Sequence, residues 1–105
     1  MRLEASYPNG RPTWHTGESI AYGLDTAKWT LTPTVTSVVE VIDESDGANV
    51  KSTVMPSGST SVSNSVITLP LFKLATVGKE YRIEIQFTGD AASVVRTHIR
   101  VKALV

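Results

Sequence analysis

An all-β fold, an antiparallel sandwich or small barrel of about seven strands, is what this sequence predicts. The strongest pattern lies in residues 79–88, where apolar and polar side chains alternate. Its apolar members are Tyr81, Ile83, Ile85 and Phe87. A strand turns successive side chains to opposite faces, so this segment presents one apolar face and one polar face. Similar short segments recur between turn residues, and the frequent valine and threonine favour a pleated sheet over a helix.

The length and composition indicate one domain and exclude several classes of partner. The chain has 105 residues, which we interpret as a single domain over 1–105 with a loosely held strand and loop at 1–17. Ten basic and ten acidic residues cancel, so we expect no nucleic-acid partner. The absence of cysteine excludes disulfides and thiolate chemistry. Without a long apolar run or a signal peptide, we expect no membrane partner and synthesis in the cytoplasm.

The first third of the chain predicts two strands separated by a loop. Residues 2–7 alternate between polar and apolar side chains, and Pro8 and a turn pair end the strand that they predict. Residues 10–17 have no regular pattern and predict a loop. Residues 18–25 alternate again and predict the second strand. Asp25 could cap a single helical turn over 25–29, which is too short to count as a helix.

A long central strand is predicted to begin at Pro33. Three of its valines are expected to share one face, namely Val35, Val39 and Val41. Val38 and Ile42 interrupt the alternation, so we expect apolar groups on parts of both faces. A turn over 43–47 follows, in which the Asp-Gly pair is a strong hairpin signal.

The second half of the chain predicts several short strands and one long final strand. Residues 50–54 predict a short strand, and residues 62–69 predict one strand or two short pieces. Turns are expected at 75–78 and 89–92, on either side of the strongest strand. Alternation over 95–101 predicts the final strand.

The segment Leu74–Ile85 resembles the corner between strands E and F of fibronectin type III and related Ig-like domains. There a leucine precedes a Gly-x-x-Tyr run, here Gly78 to Tyr81, and the tyrosine hydroxyl bonds to nearby backbone as a structural tyrosine corner. The resemblance implies an Ig-like (fibronectin III-like) antiparallel β-sandwich. It also implies that Tyr81 is buried, with its hydroxyl bonded to backbone within residues 74–78. The cysteine pair of true immunoglobulin domains is absent.

A second resemblance covers Gly17–Val101. It is carried by residues 17–22, 39–43, 52–54, 61–63 and 66–71 and by the Gly-Lys-x-Tyr-Arg run at 78–82. These runs are similar to small Ig-like proteins of tailed phages and prophages, which act as structural or decorating modules of the virion. The resemblance implies a noncatalytic phage or prophage structural protein, located in the virion. Its expected partners are virion components or further copies of itself.

No set of residues in the sequence indicates an active site, a cofactor site or a metal site. His15 is expected in a loop and His98 on the polar face of the last strand, and we interpret each as a solvated histidine. Asp43, Glu44 and Asp46 cluster and could in principle bind Ca²⁺. Their spacing does not fit an EF-hand, and hairpin-turn chemistry explains them without a metal.

Trp14 and Trp29, both expected in loops, separate two hypotheses for the function. If they plug the open ends of a sandwich, the chain is a structural or interaction module that contacts other proteins through loops or a sheet edge. If they form an exposed platform, the alternative is a carbohydrate- or surface-binding module. We prefer the first hypothesis and do not expect an enzyme, since no acid–base pair is clustered.

Overall fold

The computed structural model describes residues 2–7, 12–16 and 19–104, and for 12–16 it describes the backbone alone. These residues are mostly β. The strands are β1 Arg2–Ser6, β2 Pro12–Thr16, β3 Ser19–Ile20, β4 Gly23–Asp25, β5 Thr34–Asp43, β6 Ala48–Asn49, β7 Ser61–Ser63, β8 Val66–Thr68, β9 Phe72–Lys73, β10 Glu80–Thr88 and β11 Val94–Leu104. A four-residue helix, α1 (Lys51–Val54), follows β6, and a 3₁₀ turn, Asp90–Ala92, precedes β11.

The strands form two layers in which the described pairs are antiparallel. One layer is a six-stranded sheet in the order β2-β1-β11-β10-β5-β6. The other contains β4-β8-β7 and the pair β3-β9. These two pieces continue one another, because the Leu69 N–H donates to the Tyr22 carbonyl at 2.9 Å between them. The prediction of an all-β fold with antiparallel sheets is therefore confirmed.

The alternation predicted for β10 is confirmed. Its four inward residues are almost completely buried, with Tyr81 at 3% exposure and Ile83, Ile85 and Phe87 at 0%. Phe72 from the other layer meets Tyr81 edge to face, with ring centroids 5.3 Å apart. Such pairs add to the free energy of apolar burial. The core therefore lies between the inward face of β10 and the smaller layer.

The outward face of β10 is polar, as predicted, but its side chains are only partly exposed. Glu84 keeps 17% of its side-chain surface exposed. Its carboxylate accepts hydrogen bonds from Arg82 Nε at 2.8 Å and from Arg96 Nε at 3.2 Å. The Arg96 guanidinium also donates to Glu40 Oε1 at 3.2 Å. Opposite charges on neighbouring strands thus form ion pairs across this face, and these pairs reduce the exposure of the side chains.

The loop predicted for 10–17 is wrong over Pro12–Thr16, which form β2. This strand pairs with β1, so that Ser6 lies opposite Pro12. Most residues of 13–16 are β-branched or aromatic, and Asn9-Gly10 is a typical hairpin pair, so both signals favoured a hairpin over a loop. Residues 8–11 and 17–18 lie outside the described residues.

The short strand predicted for 50–54 is also wrong, because Lys51–Val54 form α1. The Val50 N–H still donates to the Val41 carbonyl at 2.7 Å, and pairing with β5 ends there. The Met55 N–H then donates to the Lys51 carbonyl at 2.8 Å. A helical turn lets the consecutive residues Val54 and Met55 both enter the core, whereas a strand would turn one of them outward.

A β-bulge changes the face assignment in β5. Glu84 lies opposite Glu40 and Ile85 opposite Val38, which leaves Val39 as an extra residue. Val38 is therefore buried, and Val39 is 37% exposed. A second register shift, between Gln86 and Thr88, precedes Ser37. The predicted common face of Val35, Val39 and Val41 is therefore wrong, and only the last of the three is buried.

The single strand predicted for 18–25 is divided into β3 and β4, which pair with β9 and β8. Other predicted elements are confirmed with adjusted lengths. The segment 62–69 forms two short pieces, β7 and β8, and the final strand extends to Leu104. The turn at 43–47 is closed by the Gly47 N–H, which donates to the Asp43 carbonyl at 2.8 Å. Gly47 has φ +74°, a conformation that glycine adopts at no steric cost.

The buried hydroxyl of Tyr81 accepts a hydrogen bond from the Thr76 N–H at 2.9 Å, inside the turn before β10. We expect Tyr81→Phe to lower the free energy of unfolding by about 1 kcal/mol, because it leaves this N–H without its partner and keeps the ring. Chemical denaturation measures the loss. Tyr7→Phe, at a partly buried ring, is the control, and equal stability of Tyr81→Phe and the parent would contradict this role.

Candidate functional site: the loop end

Three loops meet at the end of the molecule where β10 finishes. They are residues 26–33 between β4 and β5, residues 64–65 between β7 and β8, and residues 89–93 between β10 and β11. Thr26 joins the first two, since its N–H and its hydroxyl donate to the Ser65 carbonyl at 2.7 and 3.0 Å. The Thr30 hydroxyl joins the first and third by donating to Asp90 Oδ1 at 2.9 Å. We call this cluster, together with the adjoining first residues of β5 and β11 (34–35 and 94), the loop end.

The local sequence explains the shape of the first loop. Asp25 Oδ1 accepts hydrogen bonds from the Ala27 N–H at 2.9 Å and from the Ser65 hydroxyl at 2.8 Å. These bonds, the first above all, lower the pKa of Asp25. The Thr26 carbonyl then accepts the N–H groups of Trp29 and Thr30. The result is a hydrogen-bonded turn that begins at Asp25, as the sequence indicated.

Buried threonines hold the loop end in place. Thr26 and Thr30 are 0% and 2% exposed. Gly89 packs directly on Thr30, because a Cβ on this glycine would lie 3.4 Å from the Thr30 Cβ. The Gly89 N–H donates to the Ser93 carbonyl at 2.7 Å and closes the third loop. The backbone of the cluster is therefore fixed by packing as well as by hydrogen bonds.

Unusual backbone conformations are concentrated at the loop end. Among the described residues, five that are not glycine have positive φ, and four of them lie here: Val35, Asn64, Ala91 and Ala92. Such conformations cost about 1–3 kcal/mol each and persist where the surroundings enforce them. Val35 is the most unfavourable case because it is β-branched. Strain of this kind often accompanies a functional surface.

The loop end exposes three large apolar side chains among polar ones. Leu31, Val35 and Val94 are 68%, 78% and 65% exposed. Thr88 lies opposite both Thr34 and Val94, so the last two of these apolar residues lie on strands that flank the end of β10 on either side. None of the three was predicted from the sequence as a site residue. Leu31 could have been recognised from the sequence as a candidate contact residue, because it is a large apolar residue inside a polar loop before a proline.

Trp29 lies at the inner side of the loop end. Its ring packs against Phe87, with centroids 5.9 Å apart, and it is partly buried against the core. Lys28 Nζ lies 6.0 Å from the centre of the indole. Trp29 therefore covers the end of the core and contributes its remaining surface to the loop end.

Trp14 belongs to β2, not to a loop as predicted, and its side chain lies outside the described residues. In the sheet register Trp14 pairs with Glu4, Glu4 pairs with Lys102, and Lys102 pairs with Glu80, the first residue of β10. The backbone of Trp14 therefore lies level with the start of β10. Trp29 contacts Phe87 near the other end of that strand. At about 3.3 Å per residue, these two positions on β10 are about 23 Å apart. The two tryptophan positions therefore do not lie side by side.

The remaining predicted candidates lie apart from the loop end. His98 is opposite Glu84 on the outward sheet face and is half-buried, while the side chain of His15 lies outside the described residues. Across the part of the chain that the structure describes, no three His, Cys, Asp or Glu residues form a metal-binding group.

In the acidic turn after β5, the carboxylates of Asp43 and Glu44 are bound by side chains of the same chain. Lys79 Nζ donates to Asp43 Oδ2 at 2.6 Å, and the Ser45 hydroxyl donates to Oδ1 at 2.6 Å. Arg82 pairs with Glu44 at 3.1 Å. Asp43 is 3% exposed, and the hydrogen bonds from Lys79 and then Ser45 lower its pKa to about 2. This cluster ties the β5–β6 turn to the start of β10.

Comparison with protein-family models, with curated proteins and with solved structures finds no match to this chain. Within the described residues, no helix has the length and apolar character needed to cross a membrane. The candidate site is therefore defined by the geometry of the described residues.

We expect the stability of the protein to fall as the pH drops from 3.8 towards 2, because the Asp43 carboxylate is protonated there and loses its bonds to Lys79 and Ser45. A carboxyl with a lowered folded-state pKa stabilises the protein above its unfolded-state pKa and loses that contribution in acid. Melting temperatures between pH 2 and 7 measure the effect.

The variant Asp43→Asn has no charge to lose, so its acid-dependent loss should be smaller than that of the parent. Asp46→Asn removes an exposed carboxylate of the same turn and should behave as the parent does. If Asp43→Asn and the parent lose equal stability in acid, the role assigned to this carboxylate is wrong.

Proposed function

We propose that this chain is a noncatalytic structural or interaction module with an Ig-like β-sandwich fold. Strands β5, β10 and β11 adjoin in one layer and β4, β8 and β7 in the other, which is the grouping of strands C, F, G and B, E, D in Ig-like domains. The bond from the Thr76 N–H to the Tyr81 hydroxyl supports the same proposal, since it has the form of a tyrosine corner. The fold differs in that β1 pairs with β11.

The working surface in this proposal is the loop end, and its occupant is another protein. The observation that carries the proposal is the exposure of Leu31, Val35 and Val94 on a framework fixed by buried threonines. Rigid loops on a sheet scaffold are common binding surfaces, and exposed apolar groups favour protein partners. A pre-formed surface also loses less entropy on binding than a flexible one.

The resemblance to small Ig-like phage proteins supports the further proposal that the partner is a virion component, from a phage or prophage particle. Catalysis is not part of the proposal. Among the described residues, the groove between residues 36–38 and 58–60 has a volume of about 210 Å³. This is below the roughly 300–1,000 Å³ of typical ligand sites, so we do not propose this groove as a ligand site. The separation of Trp14 and Trp29 along the sheet disfavours a shared carbohydrate platform.

Incorporation into particles tests this function. A tagged chain is expressed in the strain that carries the gene, and particles are induced and purified on a density gradient. We expect the parent to be found in the particles and the double variant Leu31→Lys, Val94→Lys to be lost from them, because charges there must be desolvated in an apolar contact. Both positions are exposed, so the change in stability should stay within about 0.5 kcal/mol for each.

Val77→Lys is the matched control, since Val77 is 48% exposed and lies in the turn at the opposite end of β10. It should be incorporated as the parent is. Absence of the parent from the particles, or equal incorporation of the loop-end variant, would contradict the proposal. Binding of a glycan panel that the same double variant abolishes would favour the carbohydrate alternative.

A further inference from the structure

Strand β7 is an open edge of the smaller layer. It is the terminal strand in the order β4-β8-β7, and its three residues are all exposed. Val62 lies in register with Ile67 and Leu24, which are buried at 0% and 3% exposure. It therefore belongs to the core side of the layer, yet it is 43% exposed. The core is incompletely covered where β7 ends the sheet.

This edge carries no charged residue. Between Lys51 and Lys73 the sequence has no Lys, Arg, Asp, Glu or His, although the chain contains 20 charged residues. Natural sheet edges are usually protected by charges, proline or bulges that prevent pairing with another strand. The segment that forms β7 and β8 therefore lacks charge protection.

By contrast, the larger sheet is protected along its β5–β6 edge. On β5 the Val41 N–H donates to Asn49 Oδ1 at 3.3 Å, and the Thr36 carbonyl accepts from the Thr60 hydroxyl at 3.0 Å. The bulge at Val39 further interrupts this edge. Side chains there occupy groups that another strand would need.

The hairpin geometry leaves the backbone of Val62 available for pairing. A two-residue turn, Asn64-Ser65, joins β7 and β8, so Ser63 and Val66 are the closing pair and exchange hydrogen bonds. Hydrogen-bonded and non-hydrogen-bonded pairs alternate in an antiparallel ladder. Val62 is therefore in a non-hydrogen-bonded pair with Ile67, and its N–H and C=O point away from β8.

We propose that β7 pairs with β7 of a second copy of this chain, antiparallel and around a two-fold axis at Val62. The sequence of the strand, Ser-Val-Ser, reads the same in both directions. Antiparallel pairing centred on Val62 places the two valines opposite each other and each Ser61 opposite a Ser63. A two-fold contact must be complementary to itself, and an uncharged palindrome meets this condition without like-charge repulsion.

The contact buries little surface, so we expect a low affinity between the two copies. Three residues on each side bury far less than the roughly 1,000 Å² of a stable interface. The pairing is therefore a weak one that becomes populated at high protein concentration or where copies are held close together. It uses an edge of the smaller layer and not the exposed apolar side chains of the loop end. The pairing can therefore be wrong while the proposed function is right, and the function can be wrong while the pairing is right.

Sedimentation equilibrium of the purified protein tests the pairing directly. We expect the parent to associate reversibly between about 10 µM and 1 mM, and Val62→Lys to raise the dissociation constant at least about tenfold, equivalent to about 1.4 kcal/mol. The lysine would place two like charges opposite each other on the two-fold axis. Val77→Lys, at an exposed valine outside β7, should stay within about twofold of the parent.

Amide exchange of the unaltered protein gives a second measurement that does not depend on how the variant folds. The Val62 N–H should exchange more slowly at about 1 mM than at about 10 µM, because pairing protects it. A parent that stays monomeric, a Val62→Lys protein that associates as the parent does, or concentration-independent exchange at Val62 would each overturn the proposal.

Discussion

The two-residue alternation of β10 is the constraint on which the rest of the structure depends. β10 lies between β11 and β5, so its inward side chains form the centre of the core, while Arg82 and Glu84 face outward among opposite charges. A slip of one residue would expose Ile83 and Ile85 and bury the ion pairs. Both changes are unfavourable, so the register of this strand, and of the two beside it, is strongly specified.

β10 also holds the turns and loops at its two ends in place. At its start, Tyr81 and the Asp43–Lys79 pair bind the neighbouring turns to the sheet. At its end, Phe87 supports Trp29, and the loops are joined by side-chain hydrogen bonds of buried threonines. A loop surface held in this way can present apolar side chains to a partner without collapsing onto the core. The proposed function follows from this rigidity and not from any reactive group.

Elements with a strong local pattern could be predicted from the sequence, and those decided by tertiary contacts could not. The alternation of β10 and the Asp-Gly turn at 46–47 each carry their own signal. By contrast, α1 forms because Val54 and Met55 must both reach the core, and Val39 is turned outward by a bulge that depends on its pairing with β10. The apolar groups of the loop end come from separate loops, so their proximity could not be predicted before the strand order was known.

Native-state amide exchange tests most directly whether β10 holds the two layers together. The account predicts that the N–H groups of Ile83 and Ile85 exchange only through global unfolding. Their exchange free energy should then equal the stability of the whole domain and show the same dependence on denaturant. Exchange at Ile83 and Ile85 that is faster than global unfolding and independent of denaturant, with β8 still protected, would contradict it.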